Sequence, residues 1–231
     1  GNMMKASEMA LFSAPVHIAL EFEIPLMFYG ENPAHTIGEK HGGLTGDASG
    51  IKYGNTIKGG PNTLNFYDND ISDFYFYEYP TNKSLKASDI KIIYLGYYIR
   101  NWYGYINGKK AIKKGFKIRK DIPNNTGDLW GFTGVDDNIR LVNQFLKYLK
   151  FGYGHVVDQV CEAINQKIMT RQEGIKLINK YDGKCSKKYI LAFCKYSELS
   201  LKEFWLYVDK IVNKELFEKK NGKWIKKFKV Y

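Results

Sequence analysis

The sequence predicts an α/β unit with few strands, followed by a mostly helical region. Three observations predict it. Only two stretches, 24–29 and 91–99, read as strands of a parallel sheet, because each is a short apolar run bounded by Gly or polar residues. From Asp136 onward, apolar residues recur at helical spacing between capping signals. The 231 residues are 44% apolar and 16% aromatic, which suffices for one core or two small ones and excludes a disordered chain. The expected division is 1–115 for the α/β part and 116–231 for the helical part. The first part is expected to be incomplete, because two strands do not make a self-sufficient parallel sheet.

In chain order, Ala6, Met9, Ala10, Phe12, Val16 and Leu20 predict a helix, which Pro15 is expected to kink or interrupt. The run Ile24-Pro-Leu-Met-Phe-Tyr29 then reads as a buried parallel strand that stops at Gly30. Glu31-Asn32-Pro33 comes next at its carboxyl end, the edge at which open α/β sheets bind ligands. Residues 30–60 are Gly-rich without a repeat and read as a long loop; 61–88, rich in Asp, Asn and Tyr, read as an irregular insertion. The second strand, 91–99, ends at Arg100-Asn101-Trp102. Residues 111–115 suggest a short helix closed by Gly115, and 117–134 a loop. Ile139, Val142, Phe145, Leu146 and Leu149 mark a helix with Gly152 at its cap position, and Val156, Val157, Val160, Cys161 and Ile164 mark the next. Thr170-Arg-Gln-Glu173 and Ser200-Leu-Lys-Glu203 are capping boxes, in which each side chain satisfies a free backbone N–H. The first opens a helix ending at Asp182-Gly183; the second leads into Phe204, Trp205, Val208, Ile211 and Val212. The tail, Asn221-Gly-Lys-Trp-Ile-Lys-Lys-Phe-Lys-Val-Tyr231, reads as a basic, aromatic extension.

The net charge is +11, from 35 Lys and Arg against 24 Asp and Glu, yet only four of the 35 are Arg. Proteins that read bases or grip phosphates recruit Arg for its bidentate fork, so a surplus of Lys argues against that use. A basic face still attracts an anionic sugar, a nucleotide or an acidic partner. No apolar run approaches the roughly 20 residues of a membrane-spanning helix, and the first 15 residues make a poor secretory signal. Cys161, Cys185 and Cys194 are too few and too irregular for a disulfide framework or a zinc site. They read as reduced thiols of a cytoplasmic protein, with no membrane partner and no metal ligands of the chain's own. No Ser or Cys lies in an elbow-like turn suited to a nucleophile.

Four stretches together resemble one family. They are Ile24-Pro-Leu-Met-Phe-Tyr-Gly-Glu-Asn-Pro33, Tyr94-Leu-Gly-Tyr-Tyr-Ile99 with Trp102, Leu149-Lys-Phe-Gly-Tyr-Gly154, and Met169-Thr-Arg-Gln-Glu-Gly174 running to Lys180-Tyr-Asp-Gly183. In order and spacing they resemble the N-acetyl sugar amidotransferases of bacterial surface-polysaccharide, O-antigen and pseudaminic acid-type biosynthesis, including flagellin glycosylation. The resemblance implies the ATP-pyrophosphatase, or PP-loop (HUP-like), branch of nucleotide-binding parallel-sheet proteins. It implies that ATP with Mg²⁺ activates the carbonyl of a sugar N-acetyl group, and that ammonia from a separate glutaminase and its channelling partner converts acetamido to acetamidino. Members carry a Cys-rich N-terminal segment and an SGGKDS-type phosphate loop, and this sequence has neither. Gly42-Gly43 and Gly59-Gly60 lack the preceding strand and the following Ser and Asp that such a loop needs. The chain therefore resembles roughly the C-terminal two-thirds of a member. His155 is a second departure, since members tend to carry Arg after Phe-Gly-x-Gly.

Each candidate residue has a plainer explanation beside its functional one. Glu31 and Asn32 are the catalytic candidates, placed to meet the activated acyl group, the nucleotide or Mg²⁺, with Gly30 and Glu31 as cofactor contacts; a plain strand-ending turn uses the same residue types. Lys150, Gly152, Gly154 and His155 are candidates for holding an anionic acetamido sugar, because two glycines let backbone approach a ligand; a helix cap before a turn is the structural alternative. Arg171 is a further substrate candidate within a stretch the capping box otherwise explains. Tyr98 and Trp102 are candidates for stacking on a sugar or adenine, or for simple burial. Asp136 and Asp137 read as a helix start before a metal pair. Two other readings stay open at this point. One is a non-catalytic fragment of such an enzyme; the other is a basic nucleic-acid-binding module of the tRNA type, with nucleic acid the less favoured partner. A sheet lacking its first strands is expected to leave an unpaired edge and an exposed apolar helix face, and the chain to homodimerise or aggregate.

Overall fold

The computed structural model describes residues 3–31, 44–54, 57–64, 71–99 and 101–231. They form two compact units, Asn2–Tyr103 and Gly104–Tyr231. The fold is mixed α/β, with one parallel pair of strands and a helix-rich second unit.

The first unit opens with α1 (Lys5–Glu21), whose buried stripe is Met9, Phe12, Val16 and Ala19. Steps of three and four residues place these side chains on one helix face. The helix runs through Pro15, which stands on the exposed side where its missing N–H and its ring cost least. It ends in the left-handed Glu23, and the Ile24 amide bonds back to the Ala19 carbonyl at 2.8 Å.

Strand β1 (Leu26–Tyr29) pairs in parallel with β2 (Lys91–Tyr94), in the register Leu26 with Lys91 and Tyr29 with Tyr94. The far side of β2 is taken by residues 46–48, through the Ala48 amide to the Ile92 carbonyl and the Tyr94 amide to the Gly46 carbonyl. Among the described residues, then, β1 is an edge. Pairing is as the sequence predicts, but full burial is not: Leu26 is 44% and Phe28 52% exposed, while Tyr29 is buried. The strand packs one face on Phe12, Val16, Ala48, Ile51, Ile57, Ile92 and Tyr94. Leu26 and Phe28 on its other face stay exposed, and a separate apolar groove of about 510 Å³ is lined by residues of α1, Ile24 and Met27.

The structure corrects three expectations in this unit. The stretch 61–88 is not irregular: among its described residues are 3₁₀ turns at Pro61–Leu64 and Ile71–Tyr77 and a helix, α2 (Asn82–Ser88), capped by the Thr81 hydroxyl on the Ser84 amide. The second strand stops at Tyr94 rather than Ile99. The chain there enters a single turn, α3 (Leu95–Tyr98), whose Gly96 amide bonds to the Glu31 carbonyl and so bends the backbone out of the sheet. The 30–60 loop holds a 3₁₀ turn, Ser49–Tyr53, with Ile51 buried.

The second unit begins with α4 (Gly104–Lys113), longer than the 111–115 expected, and its Tyr105 amide is capped by Glu162 at 2.9 Å. The expected loop 117–134 contains a short helix, α5 (Pro123–Thr126). Buried Asp128 organises the loop after it, accepting from the amides of Trp130 and Gly131 and from Gln159. Helices α6 (Ile139–Phe151), α7 (His155–Asn165), α8 (Arg171–Tyr181), α9 (Lys187–Tyr196) and α10 (Leu201–Ile211) then pack around Leu141, Val142, Leu146, Leu149, Val156, Val160, Ile190, Phe204 and Val208. Both capping boxes form as predicted, on α8 and α10.

The tail is not an extension but an antiparallel hairpin, β3 (Phe217–Lys220) and β4 (Lys223–Lys226). Asn221 and Gly222 both have positive φ, as a tight two-residue hairpin turn requires. Phe217 at its base is buried against Tyr148 and Phe228. Among the described residues no helix is long and apolar enough to cross a membrane.

Candidate functional site

At the carboxyl end of β1, the structure brings Gly30, Glu31 and Trp102 together. The Trp102 indole N–H donates to the Gly30 carbonyl at 2.5 Å, and the Gly96 amide to the Glu31 carbonyl at 3.2 Å. One carboxylate oxygen of Glu31, Oε2, is buried without a hydrogen-bond partner. A Cβ on Gly30 would meet nothing within 4 Å. Nearby burial is strong enough to push the Tyr29 phenol well above its ordinary value, with the charges of Tyr79 and Glu31 adding to it. Tyr98 lies on α3 with 59% of its surface exposed, edge-on to Tyr97 and against Gly46. Asn32 lies outside the described residues.

In the second unit, the turn between α6 and α7 gathers Lys150, Gly152, Gly154 and His155. Gly152 adopts φ +82° and donates to the Tyr148 carbonyl, so it is the helix cap that the sequence suggests. Gly154 has a different reason. Its amide donates to Asp182 Oδ2 at 2.9 Å, and a Cβ there would stand 2.8 Å from Asp182 Oδ1. Only a residue without a side chain lets that carboxylate reach the first turn of α7. Burial raises the Asp182 pKa, against the lowering by the amides of Gly154, Val156 and Val157.

His155 opens α7. Its Nδ1 is 3.9 Å from Asp158 Oδ2, which also takes the Lys147 ammonium at 2.6 Å, and its Nε2 is buried without a partner. The Lys147 ammonium also lies 4.7 Å from the centre of the Tyr153 ring. Lys150 lies over the Phe151 ring, and burial lowers its pKa. Arg171 stands apart, on the first turn of α8, donating to the Tyr231 carbonyl at 2.6 Å.

Asp182 also lines a pocket of about 300 Å³ in this unit, with Phe145, Tyr148, Trp205, Trp224, Lys184 and Lys223 among its walls. Sequence pattern alone singles out neither the pocket nor these aromatics as a site. Their signal is present only as Asp182-Gly183 and as Trp residues scattered over separate elements. A second feature that sequence reasoning misses is the buried polar layer under α6 and α7. Asp128 and Gln159 bond to each other at 2.6 Å, and Arg140 is largely buried, its pKa pulled down by desolvation and held up by Asp128. Arg119 ties the adjoining loop through the carbonyls of Gly134 and Asp137.

Several alternatives resolve as structural. Asp137 accepts from the Ile139 amide at 2.7 Å, as a residue at a helix start does. His17 is buried, bonded to the Glu78 carbonyl at 2.7 Å. Burial raises all three thiols, Cys185 to about 12, which keeps them protonated and poor nucleophiles.

The described residues do not build a triphosphate cradle. Such a cradle needs a strand, a Gly-rich turn of converging amides and a helix of some length. Here β2 leads into the four-residue α3, and Gly59 and Gly60 lead into a four-residue 3₁₀ turn. Among the described residues no three His, Cys, Asp or Glu side chains converge on a metal position. Glu31, with its unpartnered oxygen, is one hard ligand but not a set.

Residues 127–230 match the family model described as LPS biosynthesis protein WbpG-like, C-terminal domain. The match begins at the turn into the Asp128 loop and runs through the glycine turn, the pocket and the hairpin. No curated protein matches the chain.

Proposed function

We propose that the chain acts in bacterial surface-glycan biosynthesis, as the sugar- and partner-binding portion of an ATP-dependent amidotransferase that turns a sugar acetamido group into acetamidino. In that exchange the acetamido oxygen leaves and a nitrogen from ammonia takes its place. ATP with Mg²⁺, when bound, supplies the activation of that oxygen; the described residues offer it no cradle, so no step through it is assigned to them. A glutaminase and its channelling partner deliver the ammonia, and the setting is cytoplasmic.

The observation that carries the reading is the match of 127–230 to a domain of LPS biosynthesis proteins. It spans two of the four stretches, 149–154 and 169–183, on which the resemblance to sugar amidotransferases rests. In this reading Glu31 and Asn32 border the reacting acyl group, and Gly30 gives close approach. Lys150, His155 and Arg171 meet the anionic groups of the sugar, with Gly152 and Gly154 opening the backbone to it, and Tyr98 and Trp102 offer stacking faces.

The test is product analysis by mass spectrometry in the intact protein, supplied with ATP, Mg²⁺, ammonia and an acidic acetamido sugar. Glu31→Ala is expected to lower turnover about a hundredfold and Lys150→Ala about tenfold. Undiminished turnover in both removes the assignments, and absence of any acetamidino product with the unaltered protein removes the activity.

A further inference from the structure

We infer that the pocket between Trp205, Trp224, Tyr148 and Asp182 is the subsite for the ring of an acidic monosaccharide; the choice of sugar rests on the proposed function, whereas the existence of a subsite rests on the pocket. Three features point to it. The walls are aromatic side chains supplied by three separate elements: Phe145 and Tyr148 from α6, Trp205 from α10 and Trp224 from β4. The apolar C–H face of a pyranose packs on such rings, while its hydroxyls need acceptors. Asp182 adds a carboxylate to the walls, with Oδ2 engaged by the Gly154 amide. At the rim, Lys184 and Lys223 are exposed and bring two ammonium groups to a pocket with one carboxylate, which favours a ligand bearing an anionic group.

The walls are held rather than loose. The Trp224 indole N–H donates to Asp209 at 2.9 Å, Asp209 is ion-paired with Lys219 at 2.5 Å, and Trp205 meets Phe145 and Phe204 edge-on. The Tyr148 phenol is raised to about 12 by burial and by Asp182, so it stays a neutral donor at physiological pH. Preset walls lower the ordering cost that a small polar ligand must meet on binding.

The experiment is a titration of the ¹⁵N-labelled 231-residue chain, following the four indole N–H signals. The probes are N-acetylneuraminate as the acidic sugar, N-acetylglucosamine as the neutral one, and Mg·ATP. N-acetylneuraminate is expected to move the Trp205 and Trp224 signals and leave that of Trp130 in place. The double variant Lys184→Ala/Lys223→Ala is expected to weaken N-acetylneuraminate about tenfold and N-acetylglucosamine little. Indole signals of Trp205 and Trp224 that do not move with either sugar overturn the subsite, as does a stronger response to Mg·ATP than to the sugars. Sugar binding here with no acetamidino product from the intact protein leaves the subsite standing and removes the proposed reaction. Product without binding here does the reverse.

Discussion

Gly174 offers the sharpest check on how the second unit is packed. It lies in the first turns of α8, where a glycine is ordinarily a weakness: replacing it with Ala gains up to about 1 kcal/mol of helix propensity. The structure reverses the sign. A Cβ at 174 would stand 2.4 Å from Val160 Cγ1, 3.1 Å from Ile164 Cδ1 and 3.6 Å from Met169 Sδ. Val160 is 1% exposed and β-branched within α7, so one χ1 rotamer dominates and the methyl has nowhere to go. The helices α7 and α8 must then separate, and overpacking of this kind costs about 1–3 kcal/mol. An approach of 2.4 Å belongs in the upper half of that range, about 2–3 kcal/mol, so the balance is a loss of about 1–2 kcal/mol for Gly174→Ala. With a urea slope of about 2 kcal/mol per molar, the unfolding midpoint falls by about 0.5–1 M. Urea unfolding followed by tryptophan fluorescence measures it. A companion variant isolates the cause: in a Val160→Ala background the added methyl has room, so Gly174→Ala should cost far less there, with a coupling of about 1 kcal/mol or more. A midpoint that rises, or the same loss in both backgrounds, refutes the steric argument.

Two further outcomes are expected. Asp121 is held well below the usual carboxylate range, first by the Lys188 ion pair at 2.6 Å and then by hydrogen bonds from Tyr189, Asn125 and the Ile122 amide. A lowered folded pKa means that its stabilisation is present above the unfolded value of about 3.9 and is lost as pH falls below it. The stability gap between the unaltered chain and Asp121→Asn should therefore shrink between about pH 5 and about pH 2; a gap constant with pH counts against the pairing. Thr170→Ala and Ser200→Ala each remove a formed capping box and should each cost about 1 kcal/mol, measured by thermal or urea unfolding, and adding in the double variant.

The features legible in the sequence are those that neighbours along the chain decide. The capping boxes at Thr170 and Ser200, the Gly152 cap and the pairing partners 26–29 and 91–94 are set by residues within a few positions or by a plain apolar run. Two further features are present in the sequence but muted. Asn221-Gly222 between Phe217-Glu-Lys-Lys220 and Lys223-Trp-Ile-Lys226 is a strong two-residue hairpin signal, masked by the lysine content of the strands. The stripe Tyr189, Ile190, Phe193 and Cys194 marks α9, whose Ser186 start lacks the Glu that flags its neighbours. Other features are not legible. The end of β2 at Tyr94 depends on the Gly96 amide finding the carbonyl of Glu31, far back along the chain, and the pocket depends on α6, α10 and the hairpin meeting.

The glycine turn shows why a structural and a functional explanation need not compete. Gly152 caps α6, and that alone would end the matter for one glycine. Gly154 is required for another reason, the approach of Asp182 from the end of α8, 28 positions on. That approach satisfies an amide at the start of α7 and places a carboxylate among the walls of the pocket. The same contact is therefore a helix cap and a wall of the candidate site. It follows that substitutions at Gly152, Gly154 or Asp182 mix folding with binding. Only the exposed rim lysines Lys184 and Lys223, which lie outside the turn, separate the two. A loss of binding in those variants with an unchanged unfolding midpoint is the result that a purely structural turn would not give.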